Sequence, residues 1–302
     1  MSDFDVVIPC KGNLQYIDFT LKSIAKSSLL PQTVIIVDDG IVNKIKCKYP
    51  NLNIAIIKNA GNGLVDALNT GFKCSTQNYV ARIDSDDMVT PQRFEKQVQI
   101  LKHKNDIGVV GSQLRFINEE GALGGISKYP NYEINNNKLF NKLCLIAHPS
   151  TMISKEAFDE SGGYRRLVCY KKTDLGEDFD LWLRISKTHI LYNLDTELTF
   201  YRQHTEQLSS QNLNQQLIAT VIISAINKNP NELLKFKLPV NLDDNLNVDP
   251  EIENLISKNI GHLSKLLIVL YRKNSHNGIG IKKIIISFAL KIVNFIYRKI
   301  PG

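Results

Sequence analysis

An α/β fold with a mostly parallel sheet is what the first hundred residues of this 302-residue chain predict. Three observations carry the prediction. Short β-branched runs alternate with segments of helical apolar spacing. Strands and helices interleaved at this length pair in parallel through crossover connections. Acidic residues gather where two of the strands end, which is where open α/β sheets bind their ligands.

The elements follow in order. Residues 4–9 read as a short apolar strand and 14–27 as a helix, with Leu14, Ile17, Leu21 and Ile24 on one stripe. Residues 33–37 form a second strand that runs into Asp38-Asp39-Gly40, and 52–57 a third. Leu64, Ala67, Leu68, Gly71 and Phe72 mark a helix after Gly61-Asn62-Gly63; that triplet lacks the spacing and the lysine of a P-loop and reads as a turn with a helix start. Residues 78–83 make the fourth strand, and beyond Pro91, which suits a first helical turn, Phe94, Val98 and Leu101 form another helical stripe. Later, an amphipathic helix opens at 176–184 and a strand runs over 197–201. Gly121 to Gly125 and Asn135 to Asn137 read as loops over an acceptor site, and 238–250 as a linker.

Composition narrows the class. With 43% hydrophobic residues the chain can bury a sizeable core. Five scattered cysteines without a C-x-x-C pair argue against a disulfide framework or zinc site and fit a reducing compartment. No secretory signal pattern opens the chain, and no run of eighteen apolar residues occurs, so a cytoplasmic protein is expected. After Glu253 there is no Asp or Glu, and nine Lys and Arg follow; of the formal +7, the tail therefore carries +9 and residues 1–253 carry −2. Basicity confined to a tail points to an anionic surface as partner and not to nucleic acid.

Two constellations carry chemistry. Tyr79-Val80-Ala81-Arg82-Ile83-Asp84-Ser85-Asp86-Asp87 brings an apolar strand to an abrupt end in three carboxylates. Carboxylates so close raise one another's pKa unless a cation sits among them, and hard oxygen ligands at a strand end suit Mg2+ or Mn2+; a solvated acidic turn is the plain alternative. Glu177-Asp178 opens the helix of 176–184. Acidic residues there serve the helix dipole in most proteins, but one of two adjacent carboxylates can face a cleft and act as general base. Arg202 and His204 lie two apart on an extended segment and so share a face able to meet a diphosphate.

Eight motifs in order resemble bacterial glycosyltransferase family 2 over residues 4–210. They are Val6-Val7-Ile8-Pro9, Val37-Asp38-Asp39-Gly40, Gly63-Leu64 with Ala67-Leu68-Asn69 and Gly71, Arg82-x-Asp84-x-Asp86-Asp87, His148-Pro149-Ser150, Gly162-Gly163-Tyr164, Glu177-Asp178-x-Asp180-Leu181-Trp182, and Tyr201-Arg202-x-His204. The resemblance implies an inverting, nucleotide-sugar-dependent enzyme of the GT-A (Rossmann-like) fold, of the O-antigen, capsule or exopolysaccharide type. It lacks the Q-x-x-R-W motif of processive synthases. By resemblance, Pro9, Asp38 or Asp39, Asn69, Arg82, Asp84, Arg202 and His204 would bind the nucleotide-sugar. Asp86, with Asp84 and His204, would hold Mn2+ or Mg2+, Asp87 supporting. Asp178 would be the catalytic base with Glu177 beside it. Lys11-Gly12-Asn13 and Ile41 depart from the family's pattern at the nucleotide edge.

The reaction so implied moves a hexose, galactose or glucose, from a UDP-sugar donor to a polyprenyl-diphosphate-linked acceptor such as N-acetylglucosaminyl-diphospho-undecaprenol, with a β-linkage formed. A sugar nucleotidyltransferase and a non-catalytic sugar- or membrane-binding protein are the alternatives. The expected organisation is a transferase domain over 1–215 and a helical extension over 216–302. In the extension, a helix over about 279–300 sets Lys283, Lys291 and Arg298 against an apolar face, the pattern of a helix lying on the inner face of the cell membrane.

Overall fold

The computed structural model describes residues 2–11, 15–40, 49–135, 140–204, 213–228 and 239–242. The expectations for Gly12 to Leu14, Ile41, Asn136, Asn137, residues 205–209 and the basic tail lie outside them.

The α/β prediction holds. The first half runs β1 (Phe4–Cys10), α1 (Ile17–Ala25), β2 (Val34–Asp38), β3 (Ile54–Lys58), α2 (Leu64–Cys74), β4 (Tyr79–Arg82), β5 (Met88–Val89) and α3 (Arg93–His103). Then come β6 (Ile107–Ile117), β7 (Leu123–Ile126), β8 (Tyr132–Glu133), β9 (Met152–Ser154), α4 (Lys155–Glu160), β10 (Val168–Tyr170), β11 (Thr173–Leu175), α5 (Glu177–Ile185) and β12 (Ile190–Arg202). We number the helix Leu213–Lys228 α6, and β13 is Val240–Leu242. The main sheet has the order β3-β2-β1-β4-β9-β6-β12-β5, and its first four strands are parallel as expected. Beyond them β9 runs antiparallel to both β4 and β6, so the sheet is mixed.

Strand alternation divides the core between the two faces of the sheet. Phe4, Val6 and Ile8 pack with Ile17, Leu21 and Ile24 of α1 and Phe94 and Val98 of α3. Val7, Ile35 and Val37 face the other side, with Leu68 and Phe72 of α2 and Trp182 of α5. Each such side chain contributes about 1.5–3 kcal/mol by leaving water. Gly71 lets α2 approach β1 closely, since a Cβ there would come within 2.4 Å of the Val7 side chain.

Two loop readings are corrected. Residues 123–126 form β7, an exposed strand antiparallel to β6, and the two glycines at 124 and 125 sit inside it. Residues 240–242, read as linker, form β13, parallel to β10, with Val240 and Leu242 buried and Asn241 exposed. The Asn-rich stretch that follows masks that short alternation. The helix expected beyond residue 215 begins at Leu213, and its Ile218, Ile222, Ile223 and Ile226 join the same core as Trp182. No helix among the described residues is long and apolar enough to cross a membrane.

Candidate active site

The strand order places the site. The chain leaves β1 toward β2 and β3 on one side and returns to β4 on the other, so the carboxyl ends of β1 and β4 flank a topological switch point. A cavity of about 800 Å³ opens there, lined by Pro9, Lys11, Asp39, Arg82, Asp84 and Asp86 on one side. Cys144, His148, Glu177 and Asp178 line it on the other, and Tyr201 and His204 close it from the end of β12.

On the first side, Asp39 is held by the start of α2. Its Oδ1 accepts from Asn59 Nδ2 at 2.8 Å and its Oδ2 from the Gly63 amide at 3.2 Å, while Lys11 Nζ stands 3.4 Å away. Gly63, at φ 85°, makes the turn that aims its N–H at Asp39. Asp84 is bound by both terminal nitrogens of the buried Arg82, at 2.8 and 2.5 Å. Asp86 Oδ2 lies 2.8 Å from His204 Nε2. Asp87 is fully buried; its Oδ1 accepts from the Arg202 amide at 2.9 Å, and its Oδ2 has no hydrogen-bond partner among the described residues. Burial, then the charges of Asp84 and Asp86, push its carboxyl well above the usual range.

On the second side, Gly176 joins β11 to α5 in the left-handed region, φ 69°, and a Cβ there would meet Ile223 of α6 at 2.5 Å. This turn presents Glu177 and Asp178 to the cavity from the first turn of α5. Burial pushes Glu177 up to about 7. Burial and the neighbouring Glu177 also raise Asp178. The partners of this pair are neutral donors. Asp178 Oδ1 accepts from the Phe179 amide at 2.7 Å and Oδ2 from the Cys144 thiol at 3.5 Å, a thiol that burial keeps protonated. His148 Nδ1 is 3.5 Å from Glu177, and its Nε2 meets the Tyr164 hydroxyl at 2.9 Å. Burial lowers His148 to about 3, so the ring is neutral at physiological pH.

The family model for glycosyl transferase family 2 matches residues 5–162. The chain belongs to this family. An O-antigen biosynthesis glycosyltransferase of Escherichia coli, WbnJ, is 34% identical over 57% of this chain and 66% of its own length. Among solved structures, S. aureus TarS in complex with UDP-GlcNAc superposes with a TM-score of 0.59 at 15% identity, over 91% of this chain and 72% of that one. A mannosyltransferase from Pyrobaculum calidifontis, in complex with GDP-Man and Mn2+, gives 0.57 at 12% identity, over 98% and 82%. The shared architecture is the GT-A fold.

Within this family member, the structure brings most of the residues expected from sequence to one cavity and withdraws three. Asp39 lines the cavity, whereas Asp38 Oδ1 turns back to accept from the Gly40 amide at 2.7 Å. Asn69 does not line it: both ends of its amide bind the Tyr164 backbone, at 2.9 and 3.0 Å, so it anchors a loop. Arg202 is 2% exposed, and its guanidinium donates to the carbonyls of Asp86, Asn118 and Glu119. It therefore braces the acidic turn and does not share a diphosphate-facing surface with His204. Cys144, His148 and Tyr164 were missed as site residues. The latter two sit in family motifs, but nothing in their spacing announces that His148 meets Glu177 and Tyr164 meets His148.

GT-A glycosyltransferases commonly use a divalent metal, and the donor set here fits one. Asp84, Asp86 and Asp87 each offer a carboxylate oxygen, all within 4.8 Å of one another, and Asp87 keeps the buried Oδ2 without a hydrogen-bond partner among the described residues. An all-oxygen set of this kind suits a hard cation. His204 lies outside this trio and contacts it through Asp86.

Proposed function

We propose that the protein is an inverting hexosyltransferase that moves galactose or glucose from a UDP-sugar to a lipid-linked acceptor, such as N-acetylglucosaminyl-diphospho-undecaprenol, in O-antigen or surface polysaccharide assembly. One observation carries the reading: the acidic turn after β4 and the Glu177–Asp178 pair line a single cavity. That is the minimum set for a single displacement, with one carboxylate group for the leaving diphosphate and another for the acceptor's proton. The relationship to WbnJ supports the pathway, and the UDP-GlcNAc complex of TarS supports a uridine nucleotide.

Asp39 and Lys11 line the nucleotide end, and Arg82 fixes Asp84 beside it. Asp86, with Asp84 and Asp87, would hold a divalent cation, Mn2+ or Mg2+, which when bound would supply Lewis-acid neutralisation of the leaving diphosphate. Asp178 takes the proton of the acceptor hydroxyl as that oxygen bonds to the anomeric carbon. The electron pair of the breaking C–O bond leaves with the nucleoside diphosphate. Inversion of an α-linked donor yields the β-linkage without a covalent enzyme intermediate. Glu177, which burial pushes up to about 7, titrates together with Asp178 as a pair.

The basic tail of residues 254–302, with its Lys283, Lys291 and Arg298 stripe, supports peripheral attachment to an anionic inner membrane face. A scan of UDP-sugars against N-acetylglucosaminyl-diphospho-lipid acceptors tests the whole reading. Turnover of UDP-galactose or UDP-glucose to a β-linked disaccharide supports it, and exclusive use of a GDP-sugar overturns it. Deletion of residues 279–302 should release the protein from phosphatidylglycerol vesicles while activity on a soluble acceptor persists. Retained vesicle binding together with lost soluble activity would assign that segment to the fold.

A further inference from the structure

The β10–β11 hairpin reverses through Lys171 and Lys172. Tyr170 pairs with Thr173, so the loop has two residues, and both stand at positive φ, 47° and 66°. Two-residue loops of this kind favour Asn-Gly, because positive φ crowds the Cβ of other residues. Each lysine there costs about 1–2 kcal/mol, and strain of this sort concentrates where a side chain has a use. Both lysines are exposed, and Lys171 Nζ also lies 5.0 Å from the centre of the Tyr170 ring.

Position is the second observation. The strand leaving this tip, Thr173–Leu175, lines the cavity and passes through Gly176 directly into Glu177 and Asp178. Lys172 and Glu177 are five positions apart, at most about 17 Å of extended chain, so the tip stands next to the strand that lines the cavity. Charge is the third. Three basic groups lining the cavity each sit on a carboxylate: Lys11 on Asp39, Arg82 on Asp84 and His204 on Asp86. At the α5 end the acidic lining is Asp174, Glu177 and Asp178, of which Asp174 pairs with Arg166, and the lining His148 is neutral, which leaves the Glu177–Asp178 pair without a cation on it among the described residues. A phosphate-bearing acceptor entering there meets negative charge unless cations at the rim offset it.

We infer that Lys171 and Lys172 form an anion site on the acceptor side of the cavity, for the diphosphate that carries the acceptor sugar. The inference rests on the lipid-diphosphate acceptor of the preceding section and assigns its recognition to this strained tip. Replacing the pair with the residues such a turn prefers, Lys171→Asn with Lys172→Gly, separates charge from fold. In that variant KM for phenoxyundecyl-diphosphate-linked N-acetylglucosamine should rise about tenfold, the loss of one charge-assisted contact. KM for the octyl glycoside of the same sugar, which lacks phosphate, should not change, and the melting temperature should stay level or rise. Lys171→Arg with Lys172→Arg should keep the wild-type KM on both acceptors. An Asn-Gly variant that retains its preference for the diphosphate acceptor overturns the site, as does an equal rise in KM on both. Lost binding to phosphatidylglycerol vesicles with both KM values unchanged gives the lysines to lipid headgroups and overturns it as well. If the wild type itself shows no preference for the diphosphate acceptor, the acceptor reading fails and the site with it.

Discussion

The acidic turn after β4 and the acidic start of α5 face one cavity and manage their charge in opposite ways. In the turn, basic groups sit directly on two of the three carboxylates, Arg82 on Asp84 and His204 on Asp86, although burial outweighs Arg82 and raises Asp84 as it raises Asp87. On α5, the strong cations are assigned elsewhere. Asp180 takes Arg165 at 2.6 Å and Arg184 at 2.7 Å, with Asn227 of α6 at 3.0 Å. Burial opposes ionisation of Asp180, but these partners outweigh it and hold the carboxyl below its usual range. Asp178, two residues earlier, receives among the described residues only an amide and a thiol and is raised. A carboxylate that must accept a proton is of little use once an arginine has depressed its pKa. A carboxylate that is to hold a cation can carry a raised pKa, because the bound ion itself favours the ionised form.

Substitutions in each cluster should break or sharpen this contrast. The largest effect is expected for Asp86→Ala, because the turn would lose a carboxylate that lines the cavity and with it the divalent cation. Turnover should fall by about 10³-fold or more, as removal of several kcal/mol of charge stabilisation implies, and excess chelator should reproduce the loss in the wild type. Full activity in chelator would mean the turn works through its arginine alone.

Asp178→Asn keeps the shape and removes proton acceptance, so kcat should drop by about 10²–10⁴-fold. Donor affinity, measured by calorimetry with UDP, should be preserved. A near-wild-type Asp178→Asn with an inactive Glu177→Gln would move the base by one residue.

Asp180→Ala should behave in the reverse manner, costing stability instead of chemistry. It leaves Arg184 largely buried without its partner, and breaking a buried pair costs about 3–5 kcal/mol. Urea denaturation should show that loss, while the folded fraction retains its kcat. A catalytic defect at unchanged stability would erase the distinction drawn between positions 178 and 180.

The smallest effect concerns Glu177 and pH. Its folded pKa of about 7 exceeds the 4.5 of the unfolded chain. Between those values the folded state holds a proton that the unfolded state has lost, so this group's contribution to stability falls as pH rises through the window. Glu177→Gln should remove that slope, gaining about 1–3 kcal/mol over the wild type between pH 5 and pH 8. Parallel stability curves for the two proteins would show that Glu177 does not titrate in this range.

Much of this was legible in the chain. The β-branched runs that became β1, β2 and β4 and the stripes of α1, α2 and α3 lie within a few residues of where periodicity put them, because a parallel sheet covered on both faces needs those patterns locally. The two acidic constellations were also visible, as was their position at a strand end and a helix start. Sequence spacing could not choose between Asp38 and Asp39. The choice depends on Gly63 and Asn59, which come from the far side of β3 and claim one of the two.

Local pattern thus determined the elements, the parallel half of the sheet and the residue types of the site. Tertiary structure decided which side chains are spent on holding it. Arg202 and Asn69 looked like ligand contacts, but one binds carbonyls across the sheet and the other binds the Tyr164 backbone, ninety-five positions away. Likewise Cys144 and His148 acquire their roles only when α5 is docked beside them. The physical reason is range: helix and strand preferences act over a few residues, whereas burial and charge pairing depend on groups brought together only when distant segments pack.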